Sequence, residues 1–137
     1  MKLITRDTDY ALRALVFIAR SMDRVVAVTE LVQELGIPRF FLRKILQLLH
    51  KKGLLKSFKG KGGGFILNRL PQELSLLQVM GVFQGRFSLN ECLLKKHLCP
   101  NIRTCILKKR IKNIESYVAR ELEAITIASL IKKYART

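Results

Sequence analysis

The chain has 137 residues, 49% of them apolar, and carries 26 lysines and arginines against 10 aspartates and glutamates, a formal net charge of +16. That length bounds it to one domain or one domain with an appendage. The apolar fraction excludes a disordered chain, and the charge points to nucleic acid or an anionic membrane surface. No run approaches the ~18 apolar residues of a membrane-spanning helix. Acids precede the apolar part of the N-terminal segment, and no small-residue cleavage pattern follows it, so the sequence reads as cytoplasmic with no membrane partner. The three cysteines are an odd number that cannot close into an all-paired disulfide framework. Clustered cysteines in a reducing compartment point instead to metal or redox chemistry.

In chain order, a first helix is expected from about Thr8 to Arg20, with Tyr10, Ala11, Ala14, Leu15, Ile18 and Ala19 as its apolar stripe. Asp7 and Asp9 lie at its start, where carboxylates complement the helix dipole. A short helix, Thr29 to Leu35, is stopped by Gly36, and Gly36-Ile37-Pro38 turns into a third helix. Pro38 suits a first helical turn, because its missing N–H would be unpaired there anyway. Phe41, Leu42, Ile45, Leu48 and Leu49 recur at helical spacing, and Gly53 ends the run as a left-handed residue. Two short apolar strands, around Leu54-Leu55 and Phe65 to Leu67, flank a glycine-rich tip from Gly60 to Gly64. This order of helix, turn, helix and hairpin is that of a winged helix-turn-helix.

Between Arg39 and Lys61 lie eight bases and no acid: Arg39, Arg43, Lys44, Lys51, Lys52, Lys56, Lys59 and Lys61. A merely solvated face mixes signs to gain pairing across a helical turn, whereas one-signed charge repels itself and is explained by a polyanionic partner. Double-stranded DNA is therefore the expected partner.

Beyond the wing, Asn68 to Pro71 is a connector, and Ser75 caps a short amphipathic helix, LLQVMGVF. A loop and the segment CLLKKHLCPNIRTC follow. From about Thr104 the apolar positions Leu107, Ile111, Ile114, Val118, Leu122 and Ile125 form one long helical stripe, and Thr126 begins a last short helix. A helix of some twenty residues spans roughly 30 Å, the width of a small domain. It must lie across or protrude from a fold this small, which favours an intersubunit helix pair and hence a homodimer. The expected architecture is mainly α with a small β-hairpin wing: a winged helix-turn-helix DNA-binding domain over residues 1–70, then a cysteine loop and dimerisation helices over residues 71–137.

Six residues separate Cys92 from Cys99, and five separate Cys99 from Cys105. Thiolates suit iron–sulfur clusters and zinc, but these spacings are too long for a paired zinc knuckle. Buried inert thiols are the alternative. Lys95, Lys96, Arg103 and Lys108 surround the loop, where they would lower thiol pKa values and stabilise an anionic cluster. Paired catalytic carboxylates, a Ser-His-Asp set and a nucleotide-binding glycine signature are all missing; GKGGGF lacks the Lys-Ser/Thr ending of a P-loop. An enzyme is not expected.

The segments RDTDYALRALVFIA, GIPRFFLRKILQLLHKKGLLKS and KGKGGGFILNR, the three cysteines and the closing ITIASLI together resemble the IscR/NsrR family of bacterial transcription regulators, over Lys2 to about Ile131. The resemblance implies a homodimer of winged-helix subunits paired through the long helix. In many members each subunit holds an iron–sulfur cluster whose state controls affinity for operator DNA. It makes Pro38 to Lys51 the reading helix, with Arg39, Phe40, Arg43 and Lys44 at the base-contacting turns. Lys59 becomes the wing contact with Lys61 beside it, and Lys51, Lys52 and Lys56 read as phosphate contacts. It makes Cys92, Cys99 and Cys105 ligands of a 2Fe–2S or 4Fe–4S cluster. The histidine that some members use as fourth ligand is replaced by Lys108. In the nitric-oxide-sensing branch an aspartate from the partner's first helix closes the site, and the matching residue is Asp9. Asp7 is the neighbouring alternative, His97 lies within the loop, and Asp9 also reads simply as a dipole partner. A thiol/disulfide switch without a cluster is the alternative mechanism.

Overall fold

The computed structural model describes residues 2–21, 24–89 and 106–134, the side chains of the last three excepted. The described elements are α1 (Arg6–Arg20), α2 (Val28–Leu35), α3 (Arg39–Lys51), β1 (Leu55–Phe58), β2 (Gly64–Leu67), a 3-10 turn (Pro71–Glu73), α4 (Leu76–Gln84), α5 (Ile106–Ala124) and α6 (Ile127–Tyr134). The chain is mainly helical with a two-stranded antiparallel wing, as expected.

Helix α1 is the central element, in contact with α2, α3, α4, α6 and β2. Its buried side is small and apolar, with Ala11, Ala14, Leu15, Ile18 and Ala19. It begins at Arg6, two residues before the sequence expectation, because its first turn is held from outside. Thr5 caps it. Gln84, the last residue of α4, accepts from the Thr5 N–H at 3.1 Å and from the hydroxyl of the fully buried Thr8 at 2.7 Å. The Gln84 amide nitrogen also donates to the Leu3 carbonyl at 3.0 Å. The four groups tie the start of α1 to the end of α4, and buried polar groups are tolerated only when paired in this way.

Gly36 (φ +67°) ends α2, its N–H donating to Val32 O at 3.0 Å. Pro38 then stands one residue outside α3, in an extended conformation with ψ 138°, and caps it through its carbonyl, which accepts from Leu42 N at 3.1 Å. Leu42, Ile45, Leu46 and Leu49 bury the inner face of α3. Its end is a full Schellman motif: Gly53 (φ +86°) donates to His50 O at 3.0 Å and the buried Leu54 donates to Leu49 O at 2.9 Å. The chain is thereby turned directly into β1.

In the wing Leu55 faces Leu67, Lys56 faces Ile66, Ser57 faces Phe65 and Phe58 faces Gly64. The outer edge of β2 is not free. Val26 and Phe65 exchange both backbone hydrogen bonds, at 3.0 and 2.9 Å, which pins the wing to the segment before α2. A Cβ on Gly64 would collide with the Val26 carbonyl, so this glycine serves close approach rather than the turn.

Ser75 and Gln78 form a capping box at the start of α4. Residues 74–76 run antiparallel to residues 125–127, with Leu76 N donating to Ile125 O at 2.8 Å and Ile127 N donating to Leu74 O at 2.9 Å. Leu74, Val79 and Ile127 lie in the same buried cluster as α1 and α3, whereas Leu76, Met80 and Leu122 form a second, smaller one. Helix α5 has 19 residues, about 28 Å at 1.5 Å per residue. Its C-terminal part is packed through Leu122 with Val118 beside it, and Glu115 at mid-length accepts from Leu89 N at 3.2 Å. Ile106, Leu107, Ile114 and Tyr117 are 74, 70, 52 and 59% exposed. Among the described residues no helix is long and apolar enough to cross a membrane.

Candidate nucleic-acid interface

Burying Leu42, Ile45, Leu46 and Leu49 against α1 leaves α3 with one outward face, because residues three and four apart share a side. Arg39, Phe40, Arg43, Lys44, Gln47 and His50 are all exposed. Lys51, Lys52, Lys56, Lys59 and Lys61 are exposed as well. No acidic side chain interrupts the stretch from Arg39 to Lys61.

These residues do not form one undivided patch. An open groove of about 660 Å³ runs between α3 and the wing, lined among others by Thr29, Arg43, Gln47, His50 and Lys59. Arg39, Phe40 and Lys44 lie outside it, on the first turns of α3. Arg39 is tethered, its Nη2 donating to Thr29 Oγ1 at 2.9 Å across the helix-turn-helix. Lys44 Nζ sits 4.5 Å from the centroid of the Phe40 ring. Phe40 meets Phe41 edge to face at 5.7 Å, and the Arg6 guanidinium of α1 lies 4.7 Å over Phe41. Arg43 has no hydrogen-bond or ion-pair partner among the described residues.

Gln47, Thr29 and Arg6 escape the sequence reading. Gln47 is uncharged in a stretch singled out by its charge, although its spacing from Arg43 places it on the same face. Arg6 and Thr29 reach α3 only through tertiary packing. His50 serves the fold, since its Nδ1 pairs with the Leu55 carbonyl at 3.1 Å and ties the end of α3 to β1. Glu30 and Arg24 make a two-pronged ion pair, at 2.7 and 2.5 Å, beside the start of α2. The bonded guanidinium holds the Glu30 carboxyl below the usual carboxylate range.

Asp9 is half-exposed on α1 and its Oδ2 accepts from Arg13 Nε at 3.2 Å, one helical turn on. Cys92, Cys99, Cys105 and His97 lie outside the described residues. Among the described residues no three His, Cys, Asp or Glu side chains come together as a metal site. The donor set still fits an iron–sulfur cluster chemically, with three soft thiolates in the sequence and a surface carboxylate for a fourth position.

A family model described as an iron-dependent transcriptional regulator, Rrf2, matches residues 4–133. The chain belongs to the Rrf2 family. An HTH-type transcriptional regulator of Aquifex aeolicus (strain VF5) is 33% identical over 132 residues, covering 94% of this chain and 92% of the relative. Among solved structures, the global cysteine regulator CymR of B. subtilis matches with a TM-score of 0.81 at 21% identity, covering 97% of this chain and 98% of the other. T. potens IscR matches with a TM-score of 0.75 at 21% identity, covering 98% and 88%. At that identity the two structures speak for the fold alone. This Rrf2-family chain is a DNA-binding transcriptional regulator, not an enzyme.

Proposed function

We propose that this Rrf2-family regulator is a cytoplasmic homodimer whose affinity for operator DNA is set by an iron–sulfur cluster. The observation that carries the DNA half is the exposed face of α3 and the wing, where one-signed charge surrounds Phe40 and Arg43. In this reading α3 enters the major groove, with Arg39, Phe40, Arg43 and Lys44 toward the bases. Lys59 and Lys61 on the wing, with Lys51, Lys52 and Lys56, meet phosphates or the minor groove. The exposed apolar side of α5 supports the homodimer, since an unpartnered Ile106, Leu107, Ile114 and Tyr117 would leave a large apolar stripe in water. The two reading helices of such a dimer address half-sites about one turn of DNA apart, ~34 Å.

Cys92, Cys99 and Cys105 would hold the cluster, 2Fe–2S or 4Fe–4S, with Asp9 of the partner subunit as fourth ligand. Once bound, the cluster supplies a centre that reacts with oxidants or nitric oxide. Asp9 sits on α1, the helix whose Arg6 packs on Phe41 of α3, so a change of partner at Asp9 acts on an element in contact with the reading helix. Repression through operator occupancy is the regulatory sense proposed. A thiol/disulfide switch between two of the three cysteines is the second reading, since clustered thiols in a reducing compartment also suit redox exchange.

The deciding experiment is the ultraviolet–visible spectrum with iron and sulfide content of anaerobically purified protein, wild type beside Asp9→Ala. Iron and sulfide in the wild type, and an altered or labile cluster in the variant, support the reading. Protein that stays colourless after reconstitution, with oxidant-sensitive DNA binding, favours the thiol switch.

A further inference from the structure

The first two turns of α3 hold an unusual pair. Phe40 is 64% exposed, a large apolar ring on an otherwise cationic face. Arg43 is one turn further on, exposed and without a partner among the described residues. Their neighbours are occupied. Arg39 is tethered to Thr29, and Lys44 lies over the Phe40 ring. Phe41 behind it is braced by Arg6. Phe40 is thus a ring in contact with Lys44 and Phe41 and otherwise largely open to solvent.

A surface that is apolar at one point and cationic around it fits a partner that is anionic with one apolar feature. In the major groove that feature is the 5-methyl group of thymine, which is what apolar side chains contact there. The unpartnered guanidinium of Arg43 matches the two acceptors of guanine, N7 and O6.

We infer that Phe40 is a specificity-determining residue that reads the 5-methyl group of a thymine in each half-site, beside a guanine read by Arg43. This rests on α3 being the base-reading element. Besides facing the bases, Arg39 locks α2 to α3 through Thr29, and Lys44 steadies the ring.

The test starts from a random duplex library selected with the anaerobically purified full-length protein. In the selected duplex each thymine is replaced in turn by deoxyuridine, which removes only the methyl group. One thymine per half-site is expected to matter. Its replacement weakens wild-type binding by about fourfold, the worth of one buried carbon, and by about fifteenfold when both half-sites are changed. Phe40→Ala is expected to bind both versions equally, with the salt dependence of the wild type. Phe40 is exposed, so the variant is expected to fold, and the deoxyuridine series needs no variant at all. Wild-type indifference to every deoxyuridine overturns the inference. So does a Phe40→Ala protein that still discriminates at the sensitive thymine. If Arg43→Ala keeps the full sequence preference of the wild type, it is instead the assignment of α3 as reader that fails.

Discussion

Replacing Thr8 by Val removes one hydroxyl and little volume from a fully buried position. Two bonds go with it, to Gln84 at 2.7 Å and to the Thr5 hydroxyl at 3.1 Å, while Gln84 keeps the Thr5 N–H at 3.1 Å. Neutral hydrogen bonds of this kind are worth ~0.5–1.5 kcal/mol net each, so Thr8→Val should cost about 1–3 kcal/mol. Gln84→Leu does more. It removes the partner of Thr8, of the Thr5 N–H and of the Leu3 carbonyl together, although Thr8 keeps the Thr5 hydroxyl at 3.1 Å. Leaving such groups unpaired costs ~1–3 kcal/mol. The double variant should cost less than the sum of the singles by about 1 kcal/mol, because the bond between the two side chains can be broken only once. Urea unfolding followed by circular dichroism, at one fixed protein concentration, measures all three. If the single effects add to within ~0.3–0.5 kcal/mol, the two side chains are energetically independent and the tie between α1 and α4 is not what starts α1 at Arg6.

Gly64→Ala should destabilise the wing by about 1–3 kcal/mol through collision with the Val26 carbonyl, and lower DNA affinity, whereas Gly60→Ala meets only backbone strain; parallel melts and filter binding compare them. Leu107→Glu with Ile114→Glu should give a monomer with an unchanged helical spectrum, as read by sedimentation, since both side chains face solvent within one subunit. Lys59→Ala should weaken binding to all sequences alike and reduce the slope of log affinity against log salt by about 0.9 for each phosphate it ceases to neutralise. The Glu30 carboxyl is depressed by Arg24, so its stabilising contribution is present above the ordinary carboxylate pKa and disappears as the pH falls through the lower folded value. Glu30→Gln should therefore flatten the acid side of the stability profile, and both groups being exposed, the difference should be small and salt-sensitive.

Local chemistry makes much of this fold readable. Gly36, Gly53 and Ser75 announce helix ends and starts by residue type, and each does so where the spacing places it. The start of α1 is not legible in the same way, because its cause, Gln84, is 79 residues from Thr5. The same holds for the pairing of Val26 with Phe65, which turns Gly64 from a tip residue into a strand residue. Charge finds the cationic members of the interface and misses Gln47, a neutral residue on the same face. It cannot tell the tethered Arg39 from the unpartnered Arg43, since that difference lies in the position of Thr29.

Helix α5 is packed near Leu122, and Glu115 at mid-length accepts from Leu89 N at 3.2 Å, while Ile106 and Leu107 at its start are exposed. Its start therefore lies at the far end of a lever arm from the packed end. Over the roughly 24 Å from Leu122 to Ile106, a rotation of about 5° at the packed end swings the far end through about 2.1 Å. Conversely, a displacement of that size imposed at the Ile106 end reaches the packed end as a small tilt, which close-packed side chains absorb by re-seating rather than by separating. The packed end adjoins the strand-like pairing of residues 74–76 with 125–127, next to α4. Mechanical gearing of this kind lets the end of α5 that follows the cysteine segment travel ångströms while the body that carries the reading helix turns by degrees.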